Sequence, residues 1–239
     1  MRIAMWSGPR NLSTAMMYAF AQRSDFAVMD EPFYAPYLAK TGSDHPMAAE
    51  IIGAHACDPT QVAQACLGPI PGDKPHLYMK HMPHHMIPGF PLEWAAHCTN
   101  VHLLRHPARV IASYGEKRAE MTLEDLGYPQ QSALFDRIGG TVIDSADIRD
   151  DPAAMLGKLC AALGLEFDPA MLSWPKGGRP EDGVWASHWY GAIHASTGFS
   201  GPEGPLPELT PPLARLCDAA MPYYEALAAH RIRPHPSSH

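Results

Sequence analysis

Cysteine is scarce and unpatterned in this 239-residue sequence: five residues, Cys57, Cys66, Cys98, Cys160 and Cys217, with no CxxC pair among them. Their odd number and spacing argue against a disulfide framework or a zinc knuckle, and point to a reducing cytoplasm. Long apolar runs are also missing, since no stretch approaches the ~20 residues that a membrane span requires. The opening MRIAMWSGPRN meets Ser, Gly, Pro and Arg too early for a signal peptide. Positive charge is in deficit, 18 Lys and Arg against 25 Asp and Glu, for a net charge of −7. Such a chain is poorly suited to nucleic acid, so an anionic ligand needs a local cationic pocket. Repeats, charge blocks and an interdomain linker are absent as well, and residues 1–239 read as one domain.

Proline, by contrast, is plentiful: 25 residues, about 10% of the chain and twice ordinary usage. With 46% hydrophobic residues the chain is too apolar for disorder, so the prolines imply many short loops around a regular core. Short apolar runs bounded by turn residues predict strands at Arg2–Trp6, Phe26–Met29, His76–Lys80, Asn100–Leu104 and Thr141–Ile143. Helices are expected at Ser13–Arg23, at Pro107–Ala119, and after Asp151, where Pro152 opens a run that Gly164 stops. The alternation predicts an α/β fold of three layers, α/β/α, around a central parallel sheet of about five strands. Residues 174–209, rich in Gly, Pro, Trp and His, read as a long loop or lid, and residues 231–239 as a frayed polar tail.

Two segments suggest anion sites. In RIAMWSGPRNLSTAMMYAF a strand turns through Gly8, Pro9, Arg10, Asn11 and Leu12 into a helix opening with Ser13 and Thr14. Free N–H groups at such a helix start can cradle an anion, with hydroxyls and Arg10 as further donors. The Walker pattern is only half present, because no Gly-Lys pair follows, and a plain turn with Ser13 as N-cap is the alternative. In NVHLLRHPARVIASY, Arg105 leaves a strand end and Ser113 lies two helical turns later, so both can meet a second phosphate.

Together these motifs resemble the sulfotransferases that use 3′-phosphoadenosine 5′-phosphosulfate (PAPS). PRNLST resembles the family's 5′-phosphosulfate loop, with Arg10 at its lysine and Ser13 and Thr14 at its paired threonines. LLRHPARVIASY resembles the 3′-phosphate motif Arg-x-Pro-(x)5-Ser through Arg105, Pro107 and Ser113. LGLEFDP and WYGAIHASTGF resemble later family segments, so the likeness touches almost the whole chain. Arg10 replaces a lysine and Leu12 a glycine; Ser145 stands where members often carry a tyrosine. The resemblance implies a P-loop NTPase-like fold and PAPS as donor, with 3′-phosphoadenosine 5′-phosphate (PAP) as product. It also implies a small-molecule acceptor and no required metal, and it admits a homodimer.

The acceptor's proton needs a base. His81, after a predicted strand, is the first candidate, with Lys80 beside it to stabilise the bridging oxygen. Glu31 in VMDEPFY is the rival, since other branches of the family use a glutamate there, with Asp30 in either a structural or a supporting role. His81, His84 and His85 as a metal cluster is a weaker reading. Residues 32–75 and 120–140 are expected to be variable loops that wall the acceptor pocket. A P-loop kinase or nucleotide hydrolase, with Asp144 as its magnesium acid, is the alternative function. A non-catalytic nucleotide-binding protein comes next, and a pyridoxal-dependent aminotransferase last.

Overall fold

Five parallel strands form the sheet in the computed structural model: β1 (Arg2–Ser7), β2 (Phe26–Asp30), β3 (His76–His81), β4 (Thr99–Leu104) and β5 (Thr141–Asp144), ordered β2-β3-β1-β4-β5. The structure describes residues 1–115 and 121–234. Strand alternation sorts the side chains onto two covered faces. Ile3, Met5, Tyr78, Val101, Leu103 and Ile143 pack with Met16, Phe20, Leu156 and Leu159 of helices Ser13–Ala21 and Pro152–Ala162. Ala4, Trp6, Leu77 and Met79 pack the other way, with Val62 and Cys66 of helix Pro59–Leu67 and Leu134 of helix Tyr128–Ile138. On that second face Leu227 of helix Pro211–Ala228 covers Leu104 and Val142. The result is the expected three layers.

Strands β1, β2, β3 and β5 each run one residue further than the apolar pattern suggests, to Ser7, Asp30, His81 and Asp144. A polar residue ends a hydrophobic run without ending the hydrogen-bond ladder, and here the ladder carries polar groups to the carboxyl edge. The helix after Asp151 begins as read: its carboxylate accepts from Ala154 N at 3.0 Å, Pro152 follows, and Gly164 adopts φ 71° past the end.

Other expectations are corrected. Residues 32–75 and the described part of 120–140, residues 121–140, carry helices, including Tyr34–Thr41, Ala48–Ala54, Pro59–Leu67 and Tyr128–Ile138. Residues 174–209 hold two short helices, Ala186–Trp189 and Gly191–His194, within otherwise irregular chain. The predicted helix from Pro107 is described to Gly115; its residues 116–119 lie outside the described residues, as do 235–239 of the expected tail. Arg231 does not fray: it bridges to Val142 of β5, and Ile232 N donates to Val142 O at 2.9 Å. Helix Pro211–Ala228 is an addition to the sequence reading. Leu213, Leu216, Cys217, Ala220, Tyr224 and Leu227 give it a helical stripe, which Pro222 interrupts in the sequence.

Candidate functional site

Because the sheet is parallel, every strand delivers its carboxyl end to one edge, where α/β sheets bind ligands. A cavity of about 270 Å³ opens there, lined by residues 9–14, Glu31, Lys80, Arg105, Ser113 and Ser145 among others. Three elements meet around it: the loop after β1, the start of the helix after β4, and the irregular late loop.

The loop after β1 turns sharply, with Arg10 at φ 59° and Leu12 at φ 70°. Leu12 therefore takes the N-cap position, and no side chain caps the helix. Ser13 is not the N-cap; with Thr14 it lines the cavity, and the first-turn N–H groups are left for a ligand. Gly8 is required at its place, since a Cβ there would lie 2.5 Å from the Leu126 carbonyl oxygen. Arg10 Nε donates to Ser113 Oγ at 3.0 Å, and Arg105 Nη1 to the Arg10 carbonyl at 2.6 Å. Asn11 is buried beneath them and donates to Leu103 O at 3.1 Å. The two motifs read from sequence thus form one cationic wall. Ser145, fully buried at the cavity edge, has an Oγ with no hydrogen-bond partner among the described residues.

Opposite lies a buried ionic cluster. Lys80 Nζ donates to Asp30 Oδ1 at 3.0 Å and to Glu31 Oε1 at 2.6 Å. The Tyr190 hydroxyl donates to Asp30 Oδ2 at 2.7 Å, receives Trp185 Nε1 at 3.1 Å and touches Lys80. Burial alone would depress the Lys80 ammonium's pKa, but Asp30 and Glu31 outweigh it and hold the pKa above its ordinary value. Burial pushes the Glu31 carboxyl pKa up, and the Lys80 charge only partly opposes that.

His81 does not join this group. It is in register with Trp6 on the opposite face of β3 from Lys80. There its ring stacks on Trp6 with centroids 4.7 Å apart and sits 4.8 Å from Trp94. It is 2% exposed, and burial lowers its pKa to about 3. The expectation that His81 reaches the ligand edge is corrected by the two-residue period of the strand. His84 and His85 follow in a short turn, their rings 4.5 Å apart beside Tyr37, and among the described residues no three His, Cys, Asp or Glu side chains are grouped to hold a metal ion. Asp144 is likewise engaged elsewhere: it caps the following helix by accepting from Ala146 N and accepts from the Tyr224 hydroxyl, both at 2.8 Å. Of the aromatic residues in the late loop, Trp189, Tyr190 and Phe199 line the cavity, while Trp185 packs on Tyr34. Arg109, Arg149 and Glu203 join the site without having been read from sequence. Arg149 sits four residues beyond the Ser145 position, and Glu203 lies in GPEGP, which has no periodicity to mark it.

A glycine-bearing strand-to-helix loop and a basic strand end facing one cleft define an α/β protein with a cationic cavity at the carboxyl edge of its parallel sheet. More particularly, the chain belongs to the sulfotransferase family: the model for the sulfotransferase domain matches residues 1–231. Its fold is shared by a mouse sulfotransferase complexed with PAP (11% identity, TM-score 0.56, covering 93% of this chain and 84% of that one). A sulfotransferase from Alicyclobacillus acidocaldarius shares it too (13%, 0.55, 97% and 96%), as does the sulfotransferase domain from the curacin biosynthetic pathway (17%, 0.51, 99% and 93%). Curated relatives include branched-chain-amino-acid aminotransferase-like proteins 2 and 1 of Arabidopsis thaliana, 36% and 37% identical over 95% of this chain. The chain spans 41% and 42% of their lengths, so their name describes much longer proteins.

Proposed function

We propose that the protein moves a sulfuryl group from PAPS to a hydroxyl or amine of a small acceptor, with Glu31 taking the proton. The observation that carries this reading is that Arg10, Ser113 and Arg105 form one joined cationic wall on the same cavity as Glu31 and Lys80. Bound there, PAPS supplies an activated sulfuryl group on a phosphate leaving group. Arg10, Ser13, Thr14 and the uncapped N–H groups suit the 5′ anionic groups, and Arg105 with Ser113 suits the 3′-phosphate. The partnerless Ser145 hydroxyl fits a polar ligand atom at that edge.

Catalysis then rests mainly on positioning and on charge stabilisation of the leaving group. Glu31 lies on the cavity wall with its proton affinity raised by burial, as a general base working near neutral pH requires. Lys80 keeps the carboxylate oriented, and Asp30 with Tyr190 fixes Lys80 in turn. His81 packs against Trp6 and Trp94 and does not line the cavity. An aminotransferase reading of this segment is disfavoured because a Schiff-base lysine must attack as the neutral amine, and two carboxylates keep Lys80 charged.

The test is transfer of label from PAPS to a panel of small alcohols, phenols and amines in EDTA, beside calorimetric titration with PAP, ADP and ATP. Label transfer that survives the chelator is expected, with PAP at least about tenfold tighter than ADP, or about 1.4 kcal/mol. Equal affinities would remove the basis for the 3′-phosphate assignment, and ATP turnover without PAPS turnover would hand the site to the kinase alternative.

A further inference from the structure

Glu203 occupies an unusual place for a loop carboxylate: its side chain is 3% exposed and faces three guanidinium groups. Its Oε1 accepts from Arg105 Nε at 2.9 Å and Arg149 Nη1 at 2.7 Å. Its Oε2 lies 2.9 Å from Arg109 Nε. The three arginines come from different places, the end of β4, helix Pro107–Gly115 and helix Ser145–Asp150, and converge on one point. Glu203, Arg105, Arg149 and Ser113 all line the cavity.

We infer that Arg105, Arg109 and Arg149 form a three-arginine site for a phosphate dianion, and that Glu203 is the resident counter-anion which the phosphate displaces. The inference rests on the proposed nucleotide reading only in naming the 3′-phosphate as the natural ligand. One carboxylate leaves three half-buried guanidinium charges under-neutralised, whereas a phosphate monoester matches them more closely and offers an oxygen to each. A carboxylate of the chain itself already sits where such an anion fits, so the three arginines are already converged and only Glu203 has to leave.

The backbone around Glu203 makes exchange feasible. Residues 199–210 contain no helix or strand. The segment is tied down through the same arginines: Arg149 Nε donates to Gly201 O at 2.8 Å, and Arg109 Nη2 to Glu203 O at 3.0 Å and to Gly204 O. An incoming phosphate therefore competes with Glu203 and loosens the segment that carries it. Net affinity for the nucleotide is lower than the three arginines alone would give, because binding must first break the internal ion pairs.

The experiment compares wild type, Glu203→Gln, Arg109→Ala and Arg149→Ala by calorimetric titration with PAP and ADP, and by thermal unfolding in increasing inorganic phosphate. Glu203→Gln is expected to bind PAP about tenfold tighter with ADP unchanged, while each arginine variant loses about tenfold for PAP and spares ADP. Glu203→Gln should also gain more thermal stability from inorganic phosphate than wild type does. Unchanged or weaker PAP binding by Glu203→Gln, with wild type preferring PAP over ADP, would make Glu203 a structural ion-pair partner and overturn the inference while leaving the nucleotide reading intact. If PAP is not preferred at all but the extra phosphate response persists, the three-arginine site stands and the nucleotide reading falls. No extra phosphate response in that case overturns both. Should Glu203→Gln fail to fold, hydrogen exchange on the wild type decides: residues 199–206 lose protection when phosphate or PAP saturates the site, and unchanged protection refutes displacement.

Discussion

Arg10 Nε donates to Ser113 Oγ over 3.0 Å, tying the loop after β1 to helix Pro107–Gly115 through two residues 103 positions apart in the chain. The two elements proposed to hold the nucleotide's anionic groups are therefore joined directly. Whatever orders one of them orders the other.

This coupling gives Ser113 a second role beside the proposed phosphate contact: it holds Arg10 in place. Ser113→Ala should weaken PAP by about tenfold while leaving ADP weaker by less, read by calorimetry. Arg10→Lys should resemble it, because a lysine ammonium cannot offer one donor to Ser113 and others to an anion in a fixed plane. Full PAP affinity in both variants would show that the link between the loops has no part in binding.

Glu31 and His81 make opposite predictions. Glu31→Gln should lower kcat by about 10²- to 10⁴-fold with PAP affinity nearly unchanged, the usual worth of a general base. In wild type, kcat/KM should rise with pH through an apparent pKa above the ordinary carboxylate range, because burial raises the Glu31 pKa. That limb should vanish in the variant. His81→Phe should keep its activity. A nearly dead His81→Phe with an active, folded Glu31→Gln would return the role to the imidazole.

Acid should unfold the protein partly through His81. Its folded pKa, lowered by burial to about 3, lies below the ordinary histidine value, so the unfolded chain takes up the proton first. The stability this residue contributes is present above its unfolded pKa, diminishes as pH falls below that value, and is fully lost below about 3. Between pH 7 and pH 5 the loss from His81 alone should be about 2 kcal/mol. His102, lowered to about 4 by burial, adds to the trend. Urea midpoints measured across that range should fall for wild type and fall less steeply for His81→Phe; equal slopes would contradict the burial argument.

The sequence exposes the sheet more readily than the site. Ile3, Met5, Val101 and Leu103 lie in runs that a strand period makes plain, and Pro152 and Gly164 punctuate their helix by their own backbone chemistry. That Arg10, Ser13, Arg105 and Ser113 share one cavity was suggested by the sequence because each follows a strand end at a short, local spacing. His81 and Lys80 show where that ends. They are adjacent in sequence, yet strand alternation sends one into a tryptophan cage and the other into the cavity, and only the register of β3 decides which. Arg149 and Glu203 are further beyond reach, for their meeting depends on the course of an irregular segment rather than on any repeat. Helix Pro211–Ala228 was obscured for a local reason, the proline at position 222 within its apolar stripe.

The bridge between Arg231 and Val142 has a consequence unrelated to the reaction. Strand β5 is the last in its row, and an outer strand with bare amides and carbonyls is a template on which another molecule's strand can grow. Arg231 and Ile232 lie along that margin and engage Val142, while Leu227 and Ala228 just before them anchor the approach. The segment thus works as a hem on the sheet, and loosening it would convert a finished border into a growth point for aggregates.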